Sequence, residues 1–305
     1  MGFDARLGAG ENRSEAYMKY DEREPQPATT SGPKSRVEVP GSAREQVHAP
    51  RKSLGQHWLT DKNSLEAMCD AAAVTTGDNI LEVGPGRGSL TAPLLERGAK
   101  VVAVELDERL AADLRIKFKG KSFILNMLSI LDFDFSSLPE DYKIVANIPY
   151  YLTNHLLRLL ADTPHKPTRV ALMVQKEVAE RVCAKAGDMS VLSVVVQFYY
   201  ETSLGKLVPA KLFVPPPKVD SQILVLKRRK GALFDDVETA KFFQLVKAGF
   251  SARRKKLRSS LSGGLNITKL EAEKMLKSAG IDHNRRAQEL SLTDWHHLYK
   301  KCQIL

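Results

Sequence analysis

Short apolar runs alternate with helical patterns through the middle of the chain. From residue 79 onward, five runs rich in β-branched residues read NILEV, KVVAVELD, SFILN, YKIVAN and RVALMV. Apolar runs of this length are typical of strands that are buried on both faces. Between most of them lie segments with helical spacing, such as ERLAADLRIKF, NHLLRLLAD and KEVAERVCAKA. This alternation predicts an α/β fold with a parallel, doubly wound sheet.

The pattern changes towards both ends of the chain. Two later β-rich runs, FYYETSLGKLV and SQILVLKRR, have no strong helix between them, and we expect them to close the sheet as an antiparallel pair. After them the helical spacing of AKFFQLVKAGFSARRKKLRSSLSG, TKLEAEKMLKSAG and SLTDWHHLYKKC predicts helices. The first fifty residues are rich in Gly, Pro, Ser, Thr and charge, which predicts disorder. We therefore expect a disordered extension (1–50), a sheet domain (51–226) and a small helical domain (227–305).

Composition narrows the class of protein. The chain has 305 residues, of which 43% are hydrophobic, and this is enough for a large core. No apolar run approaches the length of a membrane span, and the N-terminus has no apolar signal region. The three cysteines, Cys69, Cys183 and Cys302, match no disulfide framework and no metal-ligand spacing. We expect a cytoplasmic protein with reduced thiols, no metal and no membrane partner.

The basic charge is concentrated at the C-terminal end. The formal net charge is +10, and residues 227–305 carry 18 basic against 8 acidic side chains, which accounts for the whole excess. Such a concentration predicts a polyanionic partner. We predict that RNA phosphates contact a basic helix face formed by Arg253, Arg254, Lys255, Lys256 and Arg258.

A glycine-rich loop follows the first run. LEVGPGRGSL supplies Gly84, Gly86 and Gly88, which allow a tight turn and close approach of a ligand. The dinucleotide fingerprint requires a small third glycine where this chain has Ser89, which argues against NAD and FAD. Glu105 ends the next run, at the distance where a carboxylate binds a ribose diol. A nucleoside cofactor without phosphates fits this pattern, and S-adenosylmethionine is such a cofactor.

A second motif, VANIPYYLTN, follows the fourth run. Ligands of open α/β sheets bind outside the carboxyl ends of the strands, so Asn147 is expected beside the methyl donor. The Asn147 side-chain oxygen and the Ile148 carbonyl can accept the two hydrogens of an exocyclic amine, held there by the rigid Pro149. Tyr150 can stack on the base. Positioning then supplies most of the rate, and the base must be flipped out or single-stranded.

Together with other motifs, these segments resemble the KsgA-type rRNA adenine dimethyltransferases. The further motifs are RKSLGQHWLTD, LMVQKEVAERV, LFVPPPKVDSQI, FSARRKKLRSSL and GIDHNRRAQELSL, and the likeness begins at about residue 51. The resemblance implies a Rossmann-like class I methyltransferase sheet with a small all-helical C-terminal domain. It also implies N6-dimethylation of two adjacent adenosines near the 3′ end of small-subunit (16S) rRNA, by a monomer acting on the assembling 30S subunit.

The family motifs imply roles for individual residues. Residues 51–61, here called the covering segment, are similar to the part of the family that closes over the cofactor. The cofactor-binding positions carried over are His57, Leu59, Gly84, Gly86, Glu105, Ser129 and Asn147. Phe213 matches the aromatic residue that packs against the target base opposite the tyrosine, so the catalytic set is Asn147, Ile148, Pro149, Tyr150 and Phe213.

Two positions depart from the family pattern. His57 stands where many relatives have Asn, and either can bind a carboxylate. Ser129 stands where the family usually has an Asp that contacts the cofactor's adenine amine. Losing that charge-assisted hydrogen bond is expected to weaken cofactor binding by roughly 1–2 kcal/mol.

Two other functions share part of this sequence pattern. Large-subunit rRNA adenine methyltransferases of the macrolide-resistance type share the Asn-Ile-Pro-Tyr corner, although VPPPKVDS and NRRAQELSL favour the small-subunit family. Some relatives act as non-catalytic RNA- or DNA-binding factors in ribosome assembly or transcription. Ser129 keeps that alternative open, whereas the intact catalytic corner argues against it.

Overall fold

A mixed seven-stranded sheet forms the centre of the molecule. The computed structural model describes residues 49–51 and 54–302, and the prediction for residues 1–48 lies outside this part. The strands are β1 (Trp58–Leu59), β2 (Asn79–Val83), β3 (Lys100–Glu105), β4 (Phe123–Met127), β5 (Lys143–Asn147), β6 (Arg169–Gln175), β7 (Tyr200–Val208), β8 (Phe213–Val214) and β9 (Ser221–Arg228). The five predicted buried runs are thus β2 to β6.

The order of the strands places a crevice between two neighbours. The sheet runs β4-β3-β2-β5-β6-β9-β7, with β2 to β6 parallel and β9 antiparallel to both β6 and β7. From β2 the chain builds outward through β3 and β4, then crosses back so that β5 lies on the other side of β2. Open α/β sheets bind ligands at such a reversal. The two predicted motifs follow β2 and β5, so the topology brings them together.

Helices cover both faces of the sheet and continue after it. They are α1 (Lys62–Ala71), α2 (Thr91–Glu96), α3 (Glu108–Lys117), α4 (Thr153–Asp162), α5 (Lys176–Val182), α6 (Val191–Tyr199), α7 (Thr239–Phe250), α8 (Leu257–Leu265), α9 (Lys269–Ser278) and α10 (Leu292–Lys301). Helices α1 and α2 share one core region with the sheet, and α4 to α6 share another. Helix α3 packs in a smaller cluster of its own. The predicted α/β class is confirmed, and a helical region follows the sheet.

Successive strand residues pack into opposite layers, which explains the continuous apolar runs. In β5, Ile144 joins the layer under α4, whereas Val145 joins the layer under α1, and both are fully buried. Leu156 and Leu160 of α4 lie one turn apart and are also fully buried. Burying a side chain of this size contributes about 1.5–3 kcal/mol.

An aromatic cluster joins the sheet region to the C-terminal helices. The Phe198 ring of α6 lies 5.3 Å from Phe242 and 5.2 Å from Phe243 of α7, measured between ring centroids. These residues all belong to one compact unit, His48–Leu305. The division of the chain at residue 226 therefore stays a prediction.

The predicted basic helix face is wrong in one respect. Helix α7 ends at Phe250 and α8 begins at Leu257, so the cations at 253–256 lie in a turn between helices. The Lys255 amide donates to the Ala252 carbonyl at 2.8 Å within this turn. The Leu257 amide donates to the Arg285 carbonyl at 2.7 Å, which ties the start of α8 to a distant segment. The apolar spacing across the break resembled one continuous helix.

The close crossing of α7 and α8 depends on a glycine. A Cβ added at Gly264 would lie 2.5 Å from the Ala248 Cα, whereas one added at the neighbouring Gly263 meets nothing within 4 Å. We predict that Gly264→Ala lowers the free energy of unfolding by about 1–3 kcal/mol, because the backbones of α7 and α8 must move apart to make room for the added methyl group. Gly263→Ala is the matched control and should raise it by up to about 1 kcal/mol through helix propensity. Urea unfolding of both variants checks this, and equal effects would contradict it.

Candidate active site

A cavity of about 260 Å³ opens at the carboxyl ends of β2, β3 and β5. It contains every residue predicted to be catalytic or cofactor-binding. These residues are His57, Leu59, Gly84, Gly86, Glu105, Ser129, Asn147, Ile148, Pro149, Tyr150 and Phe213. The crossover between β2 and β5 places Gly84 and Asn147 at one edge, and the ladder between β1 and β8 brings Leu59 beside Phe213, about 150 residues away in sequence.

The glycine loop is built from left-handed backbone. Gly84, Gly86 and Gly88 have φ angles of +67°, +56° and +74°, a region that side chains other than glycine rarely adopt. A Cβ on Gly88 would also lie 2.6 Å from the Phe118 ring, so this position requires glycine for packing. Around Gly84 an added Cβ would meet nothing within 4 Å, which leaves the pocket side open. The loop therefore offers bare backbone to a ligand.

The carboxylate of Glu105 holds this loop in place. One oxygen accepts the Gly86 amide at 3.1 Å, and the other accepts the amides of Leu106 and Asp107, both at 2.9 Å. Burial nevertheless raises the pKa of Glu105, and the three amide hydrogen bonds only partly offset that effect. Each carboxylate oxygen can accept more than one hydrogen bond, so ribose hydroxyls can still bind here.

The covering segment is anchored to the start of α3. Asp107, whose side chain is fully buried, accepts two hydrogen bonds from the Arg109 guanidinium, at 2.9 and 2.6 Å. Gln56 of the covering segment donates to the same carboxylate at 3.1 Å, and Arg51 lies 3.7 Å from it. The hydrogen bonds from Arg109 lower the pKa of Asp107 to about 2. A stable negative charge thus fixes the segment beside the glycine loop.

The covering segment also orients the catalytic corner. The Asn147 amide nitrogen donates to the His57 carbonyl at 3.2 Å, which turns the Asn147 side-chain oxygen away from that contact. The His57 Nδ1 lies 2.7 Å from the Pro215 carbonyl, and because a carbonyl can only accept, Nδ1 carries the proton. The His57 ring also stacks on Tyr150, with 5.8 Å between centroids. His57 therefore supports the corner in addition to lining the pocket.

The two predicted aromatic walls are both held by tertiary contacts. Phe213 is 2% exposed and pairs with Leu59 in the antiparallel ladder between β8 and β1. The Tyr150 hydroxyl shares a hydrogen bond of 2.7 Å with the Ser221 hydroxyl at the start of β9. Ile148 and Pro149 lie between β5 and the short turn Tyr150–Leu152. This arrangement can hold a planar ring with its amine directed at Asn147.

A family model matches the sequence of nearly the whole described region. The model of the ribosomal RNA adenine dimethylase family matches residues 47–303. The chain belongs to this family. Family membership confirms the resemblance drawn from the motifs and the predicted class of enzyme.

Individual proteins are also similar to this chain in sequence or in structure. The chain is 43% identical over 256 residues to the Ribosomal RNA small subunit methyltransferase A of Dehalococcoides mccartyi (strain CBDB1), covering 81% of this chain and 87% of that one. A dimethyladenosine transferase from Plasmodium falciparum superposes with a TM-score of 0.70 at 25% identity, covering 79% and 96%. The 23S rRNA methyltransferase ErmE gives 0.66 at 26% identity, covering 80% and 98%.

The Ser129 hydroxyl already has a partner within the protein. Ser129 lies in the pocket at the end of β4, and its hydroxyl oxygen accepts the Leu131 amide at 3.2 Å. The hydroxyl therefore already caps the following turn. Asp132 and Asp134 are exposed, and Asp134 caps a later turn through the Ser136 amide at 2.9 Å. Neither lines the pocket, so the structure offers no substitute carboxylate from this turn.

The basic turn presents fewer free cations than the sequence predicts. Residues 253–256 are exposed, whereas Arg258 forms an ion pair with Glu273. Lys256 donates to the Asn284 side chain at 2.7 Å. Arg253, Arg254 and Lys255 are therefore the cations that remain most available to phosphate. Their contact with RNA stays a prediction.

The sequence did not single out several residues that support the site. Asp107 and Gln56 anchor the covering segment, Ser221 anchors Tyr150, and Trp58 packs beneath the Arg87 guanidinium, 5.2 Å from ring centroid to carbon. The motif ELDERL contains a signal for Asp107, because an aspartate before a helical run is typical of an N-cap. The Tyr150 and Ser221 positions are 71 residues apart, and no local pattern links them.

The pocket floor contains a buried acid with an unusual proton affinity. Glu82 is 1% exposed, and its carboxylate accepts the Thr91 hydroxyl at 2.7 Å. Burial raises the pKa of Glu82 to about 8 from its ordinary value of 4.5, despite that hydrogen bond, and the nearby Glu105 adds to the rise. At neutral pH the folded protein therefore holds a proton that the unfolded chain has released.

We predict that the free energy of unfolding falls as pH rises because Glu82 must release its proton. The pKa of Glu82 is higher in the folded protein than in the unfolded chain, where it is near 4.5. The stabilisation from protonated Glu82 is therefore fully present below pH 4.5. It is lost as pH rises towards 8, at about 1.4 kcal/mol per pH unit. Glu82→Gln keeps a neutral acceptor for Thr91. Between about pH 5.5 and 7.5 the free energy of unfolding should shift in favour of the variant by about 2–3 kcal/mol.

Urea unfolding of the cofactor-free protein at several pH values measures this difference. The control is Glu96→Gln, an exposed acid on the same helix as Thr91, which should keep a constant difference from the parent. A difference for Glu82→Gln that does not change with pH would show that the buried acid is not protonated.

Proposed function

We propose that this protein transfers methyl groups from S-adenosylmethionine to N6 of two adjacent adenosines near the 3′ end of small-subunit rRNA. The main support is the hydrogen bond from the Asn147 amide to the His57 carbonyl, because it leaves the Asn147 side-chain oxygen to accept a hydrogen bond from an amine. The names of similar proteins, including the small-subunit methyltransferase of Dehalococcoides mccartyi, support the choice of substrate. We further propose a monomer that works in the cytoplasm on assembling small subunits.

The residues present fit S-adenosylmethionine. The glycine loop leaves open space at Gly84, and Glu105 at the end of β3 provides acceptors for a ribose diol. Ser129 and the covering segment complete the lining. When bound, this cofactor supplies an electrophilic methyl group. With Ser129 in place of the usual aspartate, we expect cofactor binding to be weaker by roughly 1–2 kcal/mol.

The corner activates a weak nucleophile through geometry. The lone pair of adenine N6 is delocalised into the ring, and two acceptors aimed at its hydrogens favour a pyramidal nitrogen. The Asn147 side-chain oxygen and the Ile148 carbonyl provide those acceptors, while Tyr150 and Phe213 flank the base. Such positioning can supply a large part of the barrier reduction without a strong base. The base must first leave its stack, which favours a single-stranded or flipped adenosine.

Methyl transfer to purified ribosomal subunits tests the proposal. The full chain and labelled S-adenosylmethionine are incubated with under-methylated small subunits, and separately with large subunits. Mass spectrometry and primer extension should find N6,N6-dimethyladenosine at two adjacent positions in the small-subunit RNA. Methylation confined to large-subunit RNA would identify the macrolide-resistance activity instead. No transfer to either RNA, with RNA binding intact, would favour a non-catalytic factor.

We predict that Asn147→Ala abolishes methyl transfer and leaves rRNA binding within about twofold of the parent. The variant removes one acceptor for the amine and the bond to His57. The control is Asn154→Ala, a nearby amide on α4 whose side chain accepts from Arg181 at 3.3 Å and does not line the pocket. It should retain near-normal activity. Normal transfer by Asn147→Ala would refute the catalytic assignment.

We also predict that Arg253→Ala combined with Arg254→Ala weakens RNA binding and reduces its dependence on salt. Removing two phosphate contacts should lower the slope of log affinity against log salt by about 2. The control removes two exposed cations, Lys100 and Lys121, from the opposite rim, near the amino ends of β3 and β4. Filter binding at several salt concentrations measures both slopes. Equal losses in the two variants would indicate a non-specific charge effect.

A further inference from the structure

The hydroxyl of Ser221 lies where an apolar side chain would be expected. Ser221 is fully buried as the first residue of β9, and the positions from Ile223 to Leu226 that follow are nearly all apolar and buried. Its hydroxyl shares the 2.7 Å hydrogen bond with Tyr150. A buried hydroxyl is tolerated only when it has such a partner. Ser221 itself does not line the pocket, whereas Tyr150 does.

The backbone around Ser221 is held firmly. Ser221 pairs with Gln175 of β6 on one side and with Val208 of β7 on the other. The preceding Asp220 accepts the Lys176 amide at 3.0 Å through its carbonyl and the Ala210 amide at 2.9 Å through its carboxylate. The Ser221 hydroxyl is therefore a fixed point relative to the sheet. Tyr150, by contrast, lies in a short turn after Pro149, and its ring is stacked on that of His57, with 5.8 Å between centroids.

Two fixed points determine the direction of the long axis of a tyrosine ring. The turn after Pro149 sets one end of Tyr150, and the hydroxyl contact sets the other. The hydroxyl oxygen lies on the χ2 axis, so this contact fixes where the ring lies, whereas the stacked His57 ring restrains its plane. The same chain segment that ends at Ser221 also supplies Phe213, the opposite wall of the pocket. One segment thus sets both walls between which a base would lie.

We propose that Ser221 is a positioning residue for the target base, acting through the Tyr150 hydroxyl to hold the ring at the place where the incoming adenine stacks. The inference rests on the proposed function, because it assumes that Tyr150 stacks on the base. A ring held in one place restricts the base to poses in which its amine faces Asn147. Ser221 contributes to the rate of transfer without itself lining the cofactor pocket.

A double-mutant cycle separates this role from a merely structural one. The variants are Ser221→Ala, Tyr150→Phe and the combination of both. Each single change removes the same hydrogen bond, so each should lower the single-turnover rate of methyl transfer by roughly three- to tenfold. The double variant should be no slower than Tyr150→Phe, because the bond is already absent. Cofactor affinity measured by calorimetry should stay within about twofold in all three.

Ser193→Ala is the matched control. Ser193 is also fully buried, and its hydroxyl takes part in the capping box of α6, outside the cavity. This change should lower the thermal stability and leave the rate of transfer unchanged. A loss of rate equal to that of Ser221→Ala would show that destabilisation alone slows the reaction.

The outcomes are distinct. Full activity of Ser221→Ala in a protein whose parent methylates adenine would overturn the inference and leave the proposed function intact. Multiplying losses in the double variant would assign Ser221 a structural role. If Ser221→Ala does not fold, the rate of methyl transfer by Tyr150→Phe tests the inference by itself. An unchanged rate would exclude any role for the hydroxyl contact. A parent protein that methylates no adenine would refute the proposed function itself.

Discussion

One hydrogen bond, from the Asn147 amide to the His57 carbonyl, connects the two halves of the site. It joins the end of β5 to the covering segment, across 90 residues of sequence. The covering segment is in turn tied to Asp107, which sits beside the loop that Glu105 organises. The orientation of the catalytic amide therefore depends on the same contacts that shape the cofactor pocket.

The acids beneath the pocket illustrate how differently similar groups behave. Asp107 is fully buried but receives charged hydrogen bonds from Arg109, so it stays ionised. Glu82 receives one neutral hydrogen bond, and burial dominates, so it holds its proton. Glu105 lies between these cases, because three backbone amides partly compensate for its burial. Partner chemistry, and not depth alone, decides the charge of each acid.

The local motifs were readable from the sequence, and the contacts between them were not. Gly84 and Asn147 each follow a buried strand, and strand topology then places them on the same rim. The turn at residues 251–256 was read as helix, because Phe250, Leu257 and Leu261 have helical spacing. The start of α8 is fixed by the bond from the Leu257 amide to the Arg285 carbonyl, which no local pattern reveals. Ser221 was missed for the same reason.

The ladder between β1 and β8 is only two residues long on each strand. So short a ladder is easily broken, and any motion that lifts the covering segment from the pocket also removes the His57 carbonyl from Asn147. An enzyme that delivers several methyl groups must renew its donor between transfers. Renewal by way of such a motion would therefore cost the Asn147 side chain its orienting partner until the segment returned.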